Sequence, residues 1–60
     1  MTAREFVVFN AAGREVDWVV PYISHGTIAP GRYSVHNGHH DYEVRVPEGG
    51  RFEIRDRRAA

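Results

Sequence analysis

The chain has sixty residues, with eight acidic side chains, eight basic ones that are all arginine, four histidines, no cysteine and a formal net charge of zero. That length fits one domain, spanning 1–60, which buries only about 60% of the surface its unfolded chain exposes. The missing cysteines exclude disulfide staples and thiolate chemistry, and the balanced charge excludes the basic excess that drives non-specific nucleic-acid binding.

The opening Met1-Thr2-Ala3-Arg4-Glu5 lacks the charged-then-apolar layout of a secretory signal. No apolar run is long enough for a membrane-spanning helix, so a cytoplasmic protein with no membrane partner is expected. Strands are expected at about 4–10 and 14–23, joined by Asn10-Ala11-Ala12-Gly13, which reads as a type I turn closing on glycine. Pairing Asn10 with Arg14 sets Val8 against Val16 and Phe6 against Trp18, which makes Trp18 a core residue. On the opposite face Val7 meets Asp17, Phe9 meets Glu15 and Val19 meets Glu5, so this side is apolar and acidic together. Pro21 has no N–H to give a ladder, so the strand bends there or turns that side to solvent.

The segment Ser24-His25-Gly26-Thr27-Ile28-Ala29-Pro30-Gly31 reads as a strand-breaking link, with His25 in a loop role. Next, Asn37-Gly38 suits a two-residue type I′ turn between strands at 31–36 and 39–47. The pairs then run His36 with His39, Val35 with His40, Ser34 with Asp41, Tyr33 with Tyr42 and Arg32 with Glu43. Tyr33, Val35, His40, Tyr42 and Val44 share the apolar face, where His40 is a half-buried packing residue. Glu48-Gly49-Gly50 suits a third turn into a strand at 51–56, setting Val46 against Phe52 and Val44 against Ile54. Arg32, Glu43 and Arg55 then form a polar row, each exposed pair worth ~0.2 to 1 kcal/mol. The expected fold is all-β: a small five-stranded antiparallel meander or rolled small barrel built from consecutive hairpins, with 58–60 as a frayed tail.

For function, the inventory argues against an enzyme. Ser24 and Ser34 are the only serines, neither sits in a strand-to-helix nucleophile turn, and no glycine-rich loop precedes a helix. No cofactor is expected. The leading reading is a protein–protein interaction module, an adaptor or inhibitor of a larger assembly that includes self-association into a homo-oligomer among its options. Its expected contact patch is Val7, Phe9 and Val19, rimmed by Glu5, Glu15 and Asp17, an apolar surface with an acidic border.

One alternative is a nucleic-acid-binding small barrel using Arg32, Arg45, Arg51, Arg55, Arg57 and Arg58 with Tyr33 or Tyr42 as stacking surfaces. Both tyrosines lie on the face opposite Arg32, Arg45 and Arg55, so nucleic acid is not the expected partner. A second alternative is a metal-binding hairpin, since His36, His39 and Asp41 project from one face at its tip as donors for Zn²⁺ or Ni²⁺. An exposed turn supplies no dry pocket and no supporting shell, so no metal is expected. Pro30-Gly31, His36, His39, Glu43 and Gly50 also resemble the first metal-binding motif of the cupins. They depart from it at Asn37-Gly38, which separates the histidines where that motif has a single residue. The second cupin motif has no counterpart, and none of the family's activity carries over.

Overall fold

A computed structural model describes residues 2–58, and the side chains of 3–56. Six strands form: β1 Thr2–Phe9, β2 Glu15–Val19, β3 Ser24–Ala29, β4 Arg32–His36, β5 Asp41–Arg45 and β6 Arg51–Arg58. They make two antiparallel sheets, ordered β2-β1-β6 and β3-β4-β5. The Cα atoms extend over 34 × 23 × 12 Å, and the thin dimension matches the ~10 Å spacing of two sheets stacked face to face. The all-β expectation holds, but the architecture is a pair of open sheets rather than a five-stranded meander or a barrel.

β1 is central because it is apolar on both faces. Glu5, Phe6, Val7, Val8 and Phe9 are all buried, as in strands that are covered above and below and read as nearly continuous apolar runs. Phe6 and Val8 point into the core with Val19, Val35 and Val44, against which Tyr22, Tyr33, Val46, Phe52 and Ile54 pack. Pairs directly opposite in a ladder share a face. Glu5 opposite Arg55, Val7 opposite Glu53 and Phe9 opposite Arg51 therefore lie together on the outer face.

The first turn forms as its residues dictate. The Asn10 Oδ1 accepts the Ala12 and Arg14 N–H groups, each at 3.0 Å, and the Asn10 N–H donates to the Arg14 carbonyl at 2.9 Å. Gly13 supplies the positive φ of 81° that closes it. Two residues on, the expected register fails. Phe9 faces Glu15, but Val8 faces Asp17, Val7 faces Trp18 and Phe6 faces Val19, because Val16 is an extra residue that bulges out of the ladder. A shift of one residue exchanges the faces of everything beyond it. Trp18, expected in the core, is 58% exposed, and Val19, expected outside, is 7% exposed within the core.

Three further expectations are corrected. The link at Ser24–Ala29 is a strand, pairing His25 with Val35 and Thr27 with Tyr33. An edge strand needs only one ladder and tolerates Gly26. The second strand stops at Val19 instead of continuing to Ile23. The β4–β5 turn is four residues wide, not two: the Asn37 Oδ1 accepts the His39 and His40 N–H groups at 2.9 and 2.8 Å, so pairing resumes only at His36 with Asp41. Tyr33 thus meets Val44, and Val35 meets Tyr42. This shift is even, so the apolar and polar faces survive although each partner changes.

The expected β5–β6 hairpin is absent. After Val46 the chain turns through Pro47–Gly50, where the Gly50 N–H donates to the Pro47 carbonyl at 2.8 Å, and crosses to the other sheet. A Cβ on Gly50 would lie 2.2 Å from the Phe9 carbonyl oxygen, so only glycine lets the crossing backbone pass this close. β6 then runs along β1, setting Phe52 opposite Val8 and Ile54 opposite Phe6, as far as Arg58 opposite Thr2. Arg58, expected to begin a frayed tail, is in the strand; 59 and 60 lie outside the described residues.

Candidate functional site

Each sheet has two edge strands, and the sandwich therefore has two long sides. On the β3/β6 side aromatic rings fill the space between the sheets. Phe52 stacks on Phe6 at 4.7 Å and meets Tyr33 at 4.9 Å, while His25 sits edge-on to Phe52 at 5.3 Å and shares a 2.7 Å hydrogen bond between its Nδ1 and the Tyr22 hydroxyl. His25 is thus a member of the aromatic cluster on β3 and not a loop residue.

The β2/β5 side is open. A cleft of about 370 Å³ lies there, lined from the β2-β1-β6 sheet, the upper one, by Asp17, Trp18 and Val19 with Val20 just beyond, and from the β3-β4-β5 sheet, the lower one, by Tyr42, Glu43 and Val44 with Asn37 in the adjoining turn. Register places the inner-facing members: Asp17 is opposite Val8 and Tyr42 is opposite Val35, both of which are fully buried. At the edges of their sheets, Asp17 and Tyr42 reach solvent at the mouth of the cleft. Tyr42 is 42% exposed and its hydroxyl accepts a long 3.4 Å hydrogen bond from the Asn37 Nδ2. Ile23, also exposed, extends the apolar rim toward Gly38, where a Cβ would meet the Ile23 Cγ1 at 3.6 Å.

Charge at the cleft is one-sided. The residues that line it include two acidic ones and no cation; Asp17 shares the inner face with Val8, whereas Glu43, opposite Ser34, sends its carboxylate to the outer face. Glu43 is held by Arg32 at 2.8 Å and Arg45 at 3.6 Å, and the Arg32 hydrogen bond lowers its pKa from the ordinary value. Among the described residues Asp17 pairs with no cation; its Oδ1 accepts the Trp18 N–H at 2.8 Å, which fixes the carboxylate against the strand.

The residues of the expected contact patch are divided and largely covered. Glu5, Val7, Phe9 and Glu15 do share the outer face of the upper sheet, but Val7 is fully buried and Phe9 is 7% exposed beneath two guanidinium groups, Arg51 at 4.4 Å and Arg55 at 5.8 Å from its ring centre. Arg55 bridges Glu5 and Glu15, and these hydrogen bonds raise its pKa. Arg51 pairs with Glu53 at 2.6 Å. Val19 belongs to the core and lines the cleft together with Asp17, so the six residues do not form one patch.

The arginines of the nucleic-acid alternative are similarly engaged: Arg32, Arg45, Arg51 and Arg55 each lie within hydrogen-bonding or ion-pairing distance of a glutamate. Arg57 and Arg58 are known here only as backbone members of β6. Of the metal candidates, His36 and Asp41 are joined at 3.1 Å, while His39 lies in the turn. No group of three histidine, cysteine, aspartate or glutamate side chains is placed to hold a metal among the described residues. No helix is long and apolar enough to cross a membrane.

Sequence reasoning missed the cleft because it depends on one bulged residue. Of the expected patch, Asp17 and Val19 line it, and the bulge keeps Asp17 at a solvated strand edge. Compared with models of known families, with curated proteins and with solved structures, the chain finds no match.

Proposed function

We propose that this chain is a non-enzymatic protein-interaction module whose contact surface is the β2/β5 side of the sandwich. The observation that carries this reading is the exposure of two large aromatic side chains, Trp18 and Tyr42, at one cleft. Aromatic residues are the usual anchors of protein contacts, and a rim of polar groups around an apolar floor is the usual anatomy. Val19 and Val44 supply that floor, and Asp17, Asn37 and Glu43 supply the rim. Among the described residues, no strand pairs the outer edges of β2 and β5, which suits a partner that docks an extended segment.

The test is comparative capture. Partners recovered on the immobilised wild-type chain should be lost with Trp18→Glu, while the far-ultraviolet circular dichroism and melting temperature of that variant stay close to wild type because the indole is outside the core. Phe9→Leu, beneath the arginines, should leave capture intact. Capture that survives both Trp18→Glu and Tyr42→Ser would remove this side of the molecule from consideration.

A further inference from the structure

We propose that the cleft accepts an arginine side chain carried on an extended segment of a partner protein, with Asp17 as counter-ion and Tyr42 as the surface on which the guanidinium stacks. This rests on the interaction reading above and adds the chemistry of the partner. Register sends both side chains to the sheet-facing side of their strands, since Asp17 and Tyr42 are the ladder partners of the buried Val8 and Val35. They converge on one cavity from opposite sheets. A carboxylate and an aromatic ring that line one cleft from opposite sheets together recognise a flat cation.

Charge complementarity points the same way. Of the two acidic residues that line the cleft, Glu43 is turned to the outer face and matched by Arg32 and Arg45, whereas the inward Asp17 has no cationic partner among the described residues. Its hydrogen bond from the Trp18 N–H occupies one oxygen, leaving the carboxylate oriented and still able to accept. The other face of the upper sheet shows how this chain treats an aromatic ring in such a setting: Phe9 is covered by Arg51 and Arg55, whose charges are met by Glu53, Glu5 and Glu15. Tyr42 and Asp17 offer the same combination without the arginine. Guanidinium suits the cleft better than a lysine ammonium, because it is planar, less strongly hydrated, and able to stack and to donate two hydrogen bonds in one plane. The segment bearing it must be extended, since strand edges border the cleft on both sheets.

The experiment uses the full chain and the emission of Trp18, the sole tryptophan, which borders the cleft. The probes are the peptide acetyl-Thr-Val-Thr-Arg-Thr-Val-Thr-amide and the same peptide with citrulline, a neutral isostere, in place of arginine. The arginine peptide should change the emission saturably, and citrulline should weaken its affinity roughly tenfold, the loss expected when stacking of a cation and its ion pair are both removed. Asp17→Asn keeps an Oδ1 acceptor for the Trp18 N–H and should shrink the difference between the two peptides to the part due to stacking, without moving the melting temperature. Tyr42→Leu should weaken the arginine peptide alone.

Equal affinity for both peptides, or a preference that Asp17→Asn leaves unchanged, overturns the assignment. If neither peptide changes the emission while Trp18→Glu still abolishes capture of a partner, the contact surface stands and the arginine specificity falls. If instead the wild-type chain self-associates through this side, as sedimentation would show, a second copy is the occupant and the proposal is wrong. Asp17→Asn that aggregates, with no peptide bound by the wild type, would reduce Asp17 to a charge that guards a strand edge.

Discussion

On the β3/β6 side of the sandwich the rings of Phe52, Tyr33 and His25 close the space between the sheets, whereas on the β2/β5 side Val19 and Val44 line a cleft that stays open. The difference comes from a single residue. Had β2 paired with β1 without interruption, the indole of Trp18 would have faced inward beside Phe6 and occupied much of that volume. Val16 bulges, Val19 takes the inward position, and a side chain of half the size leaves the gap. One insertion in a ladder thus moves a large aromatic from the core to the surface and creates a recess beside it. Surface chemistry here is a by-product of register, not of composition.

Removing a ring from the closed side should produce the largest effect. Phe52→Ala is expected to cost about 3 kcal/mol through lost burial and a cavity, a large share of the roughly 3 to 9 kcal/mol that sixty residues ordinarily muster. Val19→Ala, on the open side, should cost less, about 1 to 2 kcal/mol, because the space around it is already partly wet. Urea or thermal denaturation of the two variants ranks them directly, and the reverse order would break the contrast between the sides.

A smaller but sharper effect is expected for deletion of Val16. Every observed β1–β2 pair survives that deletion: Phe9 with Glu15, Val8 with Asp17, Val7 with Trp18 and Phe6 with Val19. The loss should be under about 1 kcal/mol, since only a bulge and its local twist disappear, and Trp18 emission should remain that of a solvated indole. In an unbulged wild type the same deletion would exchange the faces, so unfolding or a pronounced blue shift of the emission would contradict the register.

The smallest effect concerns the carboxylate on the lower rim of the cleft. Glu43 should titrate below the usual carboxylate range in a carbon-detected pH series, and Arg32→Gln should return it toward the ordinary value. Its folded pKa is depressed, so whatever the pair contributes to stability is present above the unfolded pKa and lost as pH falls through the folded one. Both partners are well exposed, and the change in melting temperature should be slight. A Glu43 that titrates normally would remove the distinction between a neutralised carboxylate and the unmatched Asp17.

Local chemistry made parts of this fold readable. Asn10 and Gly13 define their turn by hydrogen bonds and backbone freedom that belong to those residues alone, and the pairing of Phe9 with the strand after it follows. The faces of β4 and β5 were readable for a less secure reason: the Asn37 side chain widened the turn by two residues, and an even error leaves alternation intact. The bulge at Val16 was not readable, because no residue type there demands positive φ and the choice between Trp18 and Val19 for the core is made by packing across the sandwich. Nor was β3, whose Gly26 and neighbouring Pro30 suggest a break although an edge strand tolerates both. The apolar outer face of β1 is legible in the sequence, but its cover is not. Val7 and Phe9 belong to a strand flanked on both sides, where long arginines on β6 reach across and cover the ring. The candidate site inherits these differences, since only Asp17 and Val19 of the expected patch line the cleft.

The ladder between β1 and β6 joins the most distant parts of the chain; the hydrogen bond from Arg55 to Glu5 spans fifty residues of sequence. During synthesis β1 can meet β2 early, but its second neighbour does not exist until the last strand has been made, so the outer aromatic Phe9 waits for Arg51 and Arg55 to cover it. Sheets closed by such remote pairings fold slowly, on the order of milliseconds to seconds, because the entropy of the loop is lost before the contacts are gained. For this chain the arginine-covered face is therefore the last surface to be sheltered and the one most exposed to premature association.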